Sequence, residues 1–110
     1  MTTQEVMPTE RIPSELVRED PSFADIVAQF IGGLADRLAT MDAALAATDF
    51  DALRRAAHQL KGSGGGYGYP VLTQRAAELE KHAQARALDE CNRTIAELRR
   101  VCGRVVVGTD

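Results

Sequence analysis

Beyond residue 20, every segment of this chain spaces its apolar residues by three and four, and none alternates with period two. That restricts the fold to packed helices. The first run, Phe23, Ile26, Val27, Phe30, Ile31, Leu34, Leu38, Met41 and Leu45, makes one apolar stripe about seven turns long. It predicts a single helix entered at Pro21-Ser22, with Ser22 as its cap, Asp25 in its first turn, and an end near residues 46–49. Thr48 or Asp49 then caps a second helix with the stripe Phe50, Leu53, Ala57, Leu60 and Gly64.

Pro70, well placed at a first helical position, opens a third helix that buries Leu72, Ala76, Leu79 and Ala83. A fourth runs from Leu88 to Val106 through Cys91, Ile95, Leu98, Cys102 and Val105, with Gly108 as its C-terminal cap. Helices joined by loops this short must run in opposite directions, so the expected fold is all-α, an antiparallel up-down four-helix bundle over residues 21–108. Residues 1–20 set Pro8 and Pro13 among polar side chains and are read as a flexible N-terminal arm, with at most a short helix in "SELVRED".

Composition narrows the function. The 110 residues are 45% hydrophobic and 26% charged, as in one ordinary globular domain. A net charge of -3 speaks against nucleic acid as a partner, and no apolar run approaches the ~20 residues that cross a membrane. The N-terminus lacks the basic-then-apolar layout of a secretory signal, so the expected location is the cytoplasm; a single 110-residue bundle can stand alone, so the expected state is a monomer. Cys91 and Cys102, eleven apart on one helix, should stand about 16 Å apart, too far for a disulfide, and are read as reduced core residues.

One stretch resists a purely structural account. "AAHQLKGSGGG", residues 56–66, carries Gly62, Gly64, Gly65 and Gly66 inside a helix, where each costs roughly 1 kcal/mol relative to alanine. Helical geometry places Arg54, Lys61, Gly62 and Gly65 on the face of His58, whereas Gly64 falls on the core side and Gly66 near the turn. Gly62 and Gly65 would leave a bay beside the imidazole, and Lys61 and Arg54 would make it attractive to an anion. An accessible histidine among cations suits nucleophilic capture of a phosphoryl group.

If the second and third helices turn about Tyr69, Glu80 lies level with His58 to within about two or three residues. A carboxylate there could accept a hydrogen bond from Nδ1–H and leave Nε2 as the neutral nucleophile. Tyr67 and Tyr69 are read as packing residues of the turn and, with Arg54, as candidates for a docking face. The glycines form no nucleotide-binding motif, because the lysine precedes them and no strand leads in. Glu78, Glu80 and His82 lack the Glu-x-x-His spacing that aligns metal ligands on one face, so no metal site is assigned.

The run "AAHQLKGSGGGYGYPVLTQRAAELE" resembles the signature of histidine-containing phosphotransfer (HPt) domains. The resemblance rests on the A-H-x-L-K-G core, Gly68 ten residues after the histidine, and the spacing to Leu79 and Glu80. It implies a phosphocarrier of a two-component phosphorelay, in which His58 accepts a phosphoryl group from a receiver-domain aspartate or a (hybrid) histidine kinase and passes it to another receiver. By position it implies Lys61 as charge partner, Gly62 as clearance and Glu80 as orienting group. Any Mg²⁺ would belong to the receiver, with no cofactor on this chain and no ATP-dependent kinase activity. Three consecutive glycines at 64–66 depart from the family pattern and bear on the continuity of the helix there. The competing readings are a non-catalytic helical adaptor and a metal-binding bundle.

Overall fold

The computed structural model describes residues 10–108. In chain order it comprises β1 (Ile12–Pro13), α1 (Glu15–Glu19), a 3-10 turn (Pro21–Phe23), α2 (Ala24–Gly32), α3 (Leu34–Ala46), α4 (Phe50–Gly66), α5 (Pro70–Gln84), α6 (Leu88–Cys102) and β2 (Val105–Val106). Helices α3 and α5 each pack against both α4 and α6, which closes the four into the expected bundle. Leu53, Ala57, Leu60 and Gly64 of α4 are buried against Leu72, Ala76, Leu79 and Ala83 of α5, as their spacing predicts. Phe50 is half-buried under the Arg86 guanidinium, 5.6 Å from its ring, and Leu88 stays exposed.

The long first helix differs from expectation. It is interrupted at Gly33, whose N–H bonds back to the carbonyls of Gln29 and Phe30 and ends α2. Two adjacent glycines weaken the helix there, and the break turns α2 so that Val27 and Phe30 are buried while Phe23 and Ile26 remain exposed. Ser22 is not the cap of this helix: Asp20 accepts hydrogen bonds from the N–H and hydroxyl of Ser22 and caps the 3-10 turn instead.

At the other end α6 stops at Cys102 with Gly103 as its cap, not at Val106 and Gly108. The chain then straightens, and Val105 and Val106 pair in parallel with Ile12 and Pro13, a strand pair too short to announce itself by alternation. Residues 10–20, expected as an arm, lie on the bundle as a strap. Ser14 is fully buried, its hydroxyl donates to the Tyr67 carbonyl at 2.7 Å, and its oxygen caps α1 by accepting from Val17 N–H. Glu15 N–H donates to the Gly68 carbonyl at 2.9 Å, and Arg104 Nε to that of Glu10 at 2.7 Å. These bonds satisfy backbone groups on both the strap and the turn it covers. The remainder of the expected arm, residues 1–9, lies outside the described residues.

The three loops of the bundle share one geometry. Thr48, Gly68 and Arg86 each adopt positive φ (50°, 93° and 56°) and each donates its N–H to the carbonyl three residues back. The following residues, Asp49, Tyr69 and Ala87, reach five back, to Ala44, Gly64 and His82, which completes a Schellman closure at the end of α3, α4 and α5. Asp49 also caps α4 by accepting from Ala52 N–H. Cys91 and Cys102 are free thiols, and burial pushes Cys102 up to about 11.

Candidate functional site

Helix α4 runs unbroken through Gly66, so the glycine triplet does not end it early. The four glycines meet different surroundings. A Cβ on Gly64 would stand 2.8 Å from Leu72 Cβ and 3.2 Å from Thr73 N, so this glycine lets the α4 and α5 backbones approach. One on Gly65 would stand 2.9 Å from Thr73 Oγ1, whereas one on Gly62 or Gly66 would meet nothing within 4 Å. Gly65 therefore makes room for Thr73 of α5, and Gly62 alone of the expected pair opens onto free space beside the histidine.

His58 lies at the middle of α4 with its side chain 65% exposed. Its Nδ1 is 2.9 Å from Glu80 Oε2, and Lys61 Nζ is 2.7 Å from Glu80 Oε1. The two carboxylate oxygens are thus divided between the imidazole and the ammonium. Both contacts follow from α4 and α5 running antiparallel about Tyr69, which sets His58 level with Glu80. An ionised carboxylate only accepts, so Nδ1 is the donor in this contact, and Nε2 has no protein partner among the described residues.

The hydrogen bond from Lys61 holds the Glu80 carboxyl below its ordinary value of 4.5; burial opposes this and the bond from His58 assists it. A depressed folded value means that the pair stabilises the fold above the ordinary carboxylate range and loses that contribution as pH falls through the folded value. Glu80→Gln should therefore lower the melting temperature at neutral pH, with the difference from the unaltered chain shrinking to nothing in acid. Thermal melts across that range check it.

Arg54 is half-buried and forms no ion pair among the described residues. Tyr67 is half-buried, stacked on Phe30 with centroids 4.6 Å apart. Tyr69, expected as a docking candidate, is instead fully buried, donates its hydroxyl to the Val106 carbonyl at 2.6 Å, and cannot belong to a docking face. Burial in turn pushes its phenol up to about 12. It is sequestered because the strap and the C-terminal strand close over the α4–α5 turn.

Two features went unread in the sequence. Thr73 donates its hydroxyl to the Lys61 carbonyl at 2.7 Å, and a residue level with Gly65 across the hairpin was the available signal. On the other flank of α4, Ile26, Phe30, Arg37, Ser63 and Tyr67 line a shallow groove, with the Arg37 guanidinium 5.7 Å from the Phe30 ring. The bend at Gly33 assembles it, and no periodicity reports a bend. Among the described residues no cluster of three or more His, Cys, Asp or Glu could hold a metal ion.

A family model for the Hpt domain matches residues 25–106. The chain belongs to the Hpt domain family. No curated protein and no solved structure matches it. Membership makes this Hpt domain a histidine-containing phosphotransfer module of the kind used in phosphorelays. The match takes in every helix of the bundle and stops short of the strap, which is therefore outside what the family describes here. Among its described residues, no helix of this Hpt domain is long and apolar enough to cross a membrane.

Proposed function

We propose that this Hpt domain is a phosphocarrier that takes a phosphoryl group onto Nε2 of His58 from a receiver-domain aspartate or a (hybrid) histidine kinase and delivers it to another receiver. The observation that carries the reading is the exposed imidazole whose Nδ1–H is held by Glu80 while Glu80 is held by Lys61. In the transfer the Nε2 lone pair attacks phosphorus, the P–O bond to the donor aspartate breaks, and the aspartate leaves as carboxylate. No proton has to move. The ring becomes a cation with hydrogen on Nδ1 and phosphoryl on Nε2, and the Glu80 carboxylate beside Nδ1 stabilises that charge.

Lys61 supplies positive charge within one helical turn of the phosphoryl group, and Arg54 one turn on the other side adds to the field that draws in an acidic receiver. Tyr67 and Arg54 serve the docking face. The Mg²⁺ that phosphoryl transfer requires sits on the receiver, and ATP is consumed by the kinase upstream. The chain works as a cytoplasmic monomer. Incubation with phosphorylated receiver domains from the same cell should place an acid-labile, base-stable phosphate on the protein, and absence of uptake from every receiver would refute the reading.

Gly62 supplies a sharper test. A methyl group there meets no neighbour, and alanine is the better helix former, so Gly62→Ala should raise stability by about 0.5–1 kcal/mol. The same methyl stands one turn from His58 on its own face, where the receiver must close in, so phosphotransfer should slow severalfold. Thermal melts and transfer rates measured on the one variant should move in opposite senses.

A further inference from the structure

We infer that Thr73, seated on Gly64 and Gly65, is a positioning residue that sets the spacing of α4 and α5 so that Glu80 reaches His58. The consequence for phosphotransfer rests on the role of His58 proposed above, whereas the consequence for the imidazole itself does not. Residues 72 and 73 lie directly on residues 64 and 65: a Cβ on Gly64 would stand 2.8 Å from Leu72 Cβ and one on Gly65 2.9 Å from Thr73 Oγ1, so either would force a neighbour to shift. From that contact the Thr73 hydroxyl reaches the Lys61 carbonyl at 2.7 Å. Lys61 is thereby tied to α5 twice, by its carbonyl to Thr73 and by its ammonium to Glu80 at 2.7 Å.

Thr73 and Glu80 are seven residues apart on one face of α5, about two turns or 10 Å. A helix is stiff over that length, so the seat of Thr73 determines where Glu80 arrives. The pairs Gly65–Thr73 and His58–Glu80 are both equidistant from Tyr69, and one helix register satisfies both. The margin is small. The Nδ1···Oε2 separation is 2.9 Å, and a hydrogen bond weakens steeply once it lengthens by about half an ångström. A Cβ on Gly65 would press Thr73 Oγ1 at 2.9 Å where ordinary contact begins at 3.4 Å, a displacement of the same size. Valine at 73 would set a methyl group against the Lys61 carbonyl in place of the hydroxyl, with the same outward push.

The test is the tautomer of His58, read from its two ring-nitrogen chemical shifts by NMR in the full chain, near neutral pH and without any partner. Glu80→Ala calibrates complete loss of the Nδ1 hydrogen bond. Thr73→Val and Gly65→Ala should move the ratio of Nδ1–H to Nε2–H forms at least threefold toward that limit, and Thr73→Ser, which keeps the hydroxyl, should restore it. Thr94→Val removes another helix-bound hydroxyl, one that donates to the Glu90 carbonyl, and should leave the ratio unchanged. If Thr73→Val folds with an unaltered His58 tautomer, the inference is wrong; should Gly65→Ala fail to fold, Thr73→Val decides alone. A tautomer shift together with no phosphate uptake by the unaltered chain would uphold the positioning role and refute the proposed carrier.

Discussion

Replacing His58 with glutamine should abolish phosphate uptake from a phosphorylated receiver, to background, and leave the bundle intact. Glutamine retains polarity and approximate length, and its amide can still donate to Glu80, so the α4–α5 contact keeps a hydrogen bond. What it lacks is a nucleophilic lone pair, because the amide nitrogen is delocalised into its carbonyl. The loss is therefore all or none. His82 cannot substitute, since it lies on the flank of α5 toward α6, beside Glu78, Arg93 and Thr94. An exposed side chain contributes little to packing, so stability should change by less than about 0.5 kcal/mol. The check is acid-labile phosphate on the variant, alongside circular dichroism and a thermal melt. Transfer that survived in the variant would refute His58 as the phosphoacceptor.

Gly68→Ala should be the most damaging small substitution in the fold, costing about 2–5 kcal/mol. Two effects add. Gly68 has φ of 93°, outside the range L-residues favour, and a Cβ there would stand 2.4 Å from the Leu16 nitrogen, 2.5 Å from Ser14 Oγ and 2.8 Å from the Glu15 nitrogen. Two of those atoms are backbone and cannot swing aside, so the strap from Ser14 to Glu19 must lift. That would unseat the Ser14 hydroxyl from Tyr67 and expose the Tyr69 phenol. Since a domain of this size loses about 4–8 °C per kcal/mol, the melting temperature should fall by roughly 10–40 °C. Gly66→Ala, two residues earlier, meets nothing within 4 Å and should be neutral or mildly stabilising. Comparing the two separates contact and strain from the general preference of helices for alanine.

The candidate site was legible where its parts share one helix or one hairpin. His58, Lys61 and Gly62 lie within five residues, and helical periodicity alone puts them on one face. Glu80 is twenty-two residues away, yet a single antiparallel turn reduces that distance to a question of level, and the two side chains do meet. Reading the glycines by face was less successful. Gly65 shares the His58 face in projection, but a projection does not show that Thr73 of the next helix occupies the space above it. Tyr69 failed as a docking residue for the same reason: an aromatic beside a proline-started helix looks like an exposed turn until a distant segment covers it.

The sequence by itself determined the helical class, the buried stripes, the loop positions and the face of α4 that carries the histidine, because these depend on periodicity and on partners a few residues away. Only the tertiary structure decided the bend at Gly33, the seat of Thr73 on the glycine pair, and the closure of residues 10–20 and Val105–Val107 over the α4–α5 turn. Each of those joins segments whose separation in sequence carries no periodic signal. Their energies come from close backbone approach and from hydrogen bonds such as Ser14 to Tyr67, which exist only once the bundle has formed. The costly glycines in α4 are explained the same way: Gly62 leaves space beside His58, and Gly64 and Gly65 make room for α5.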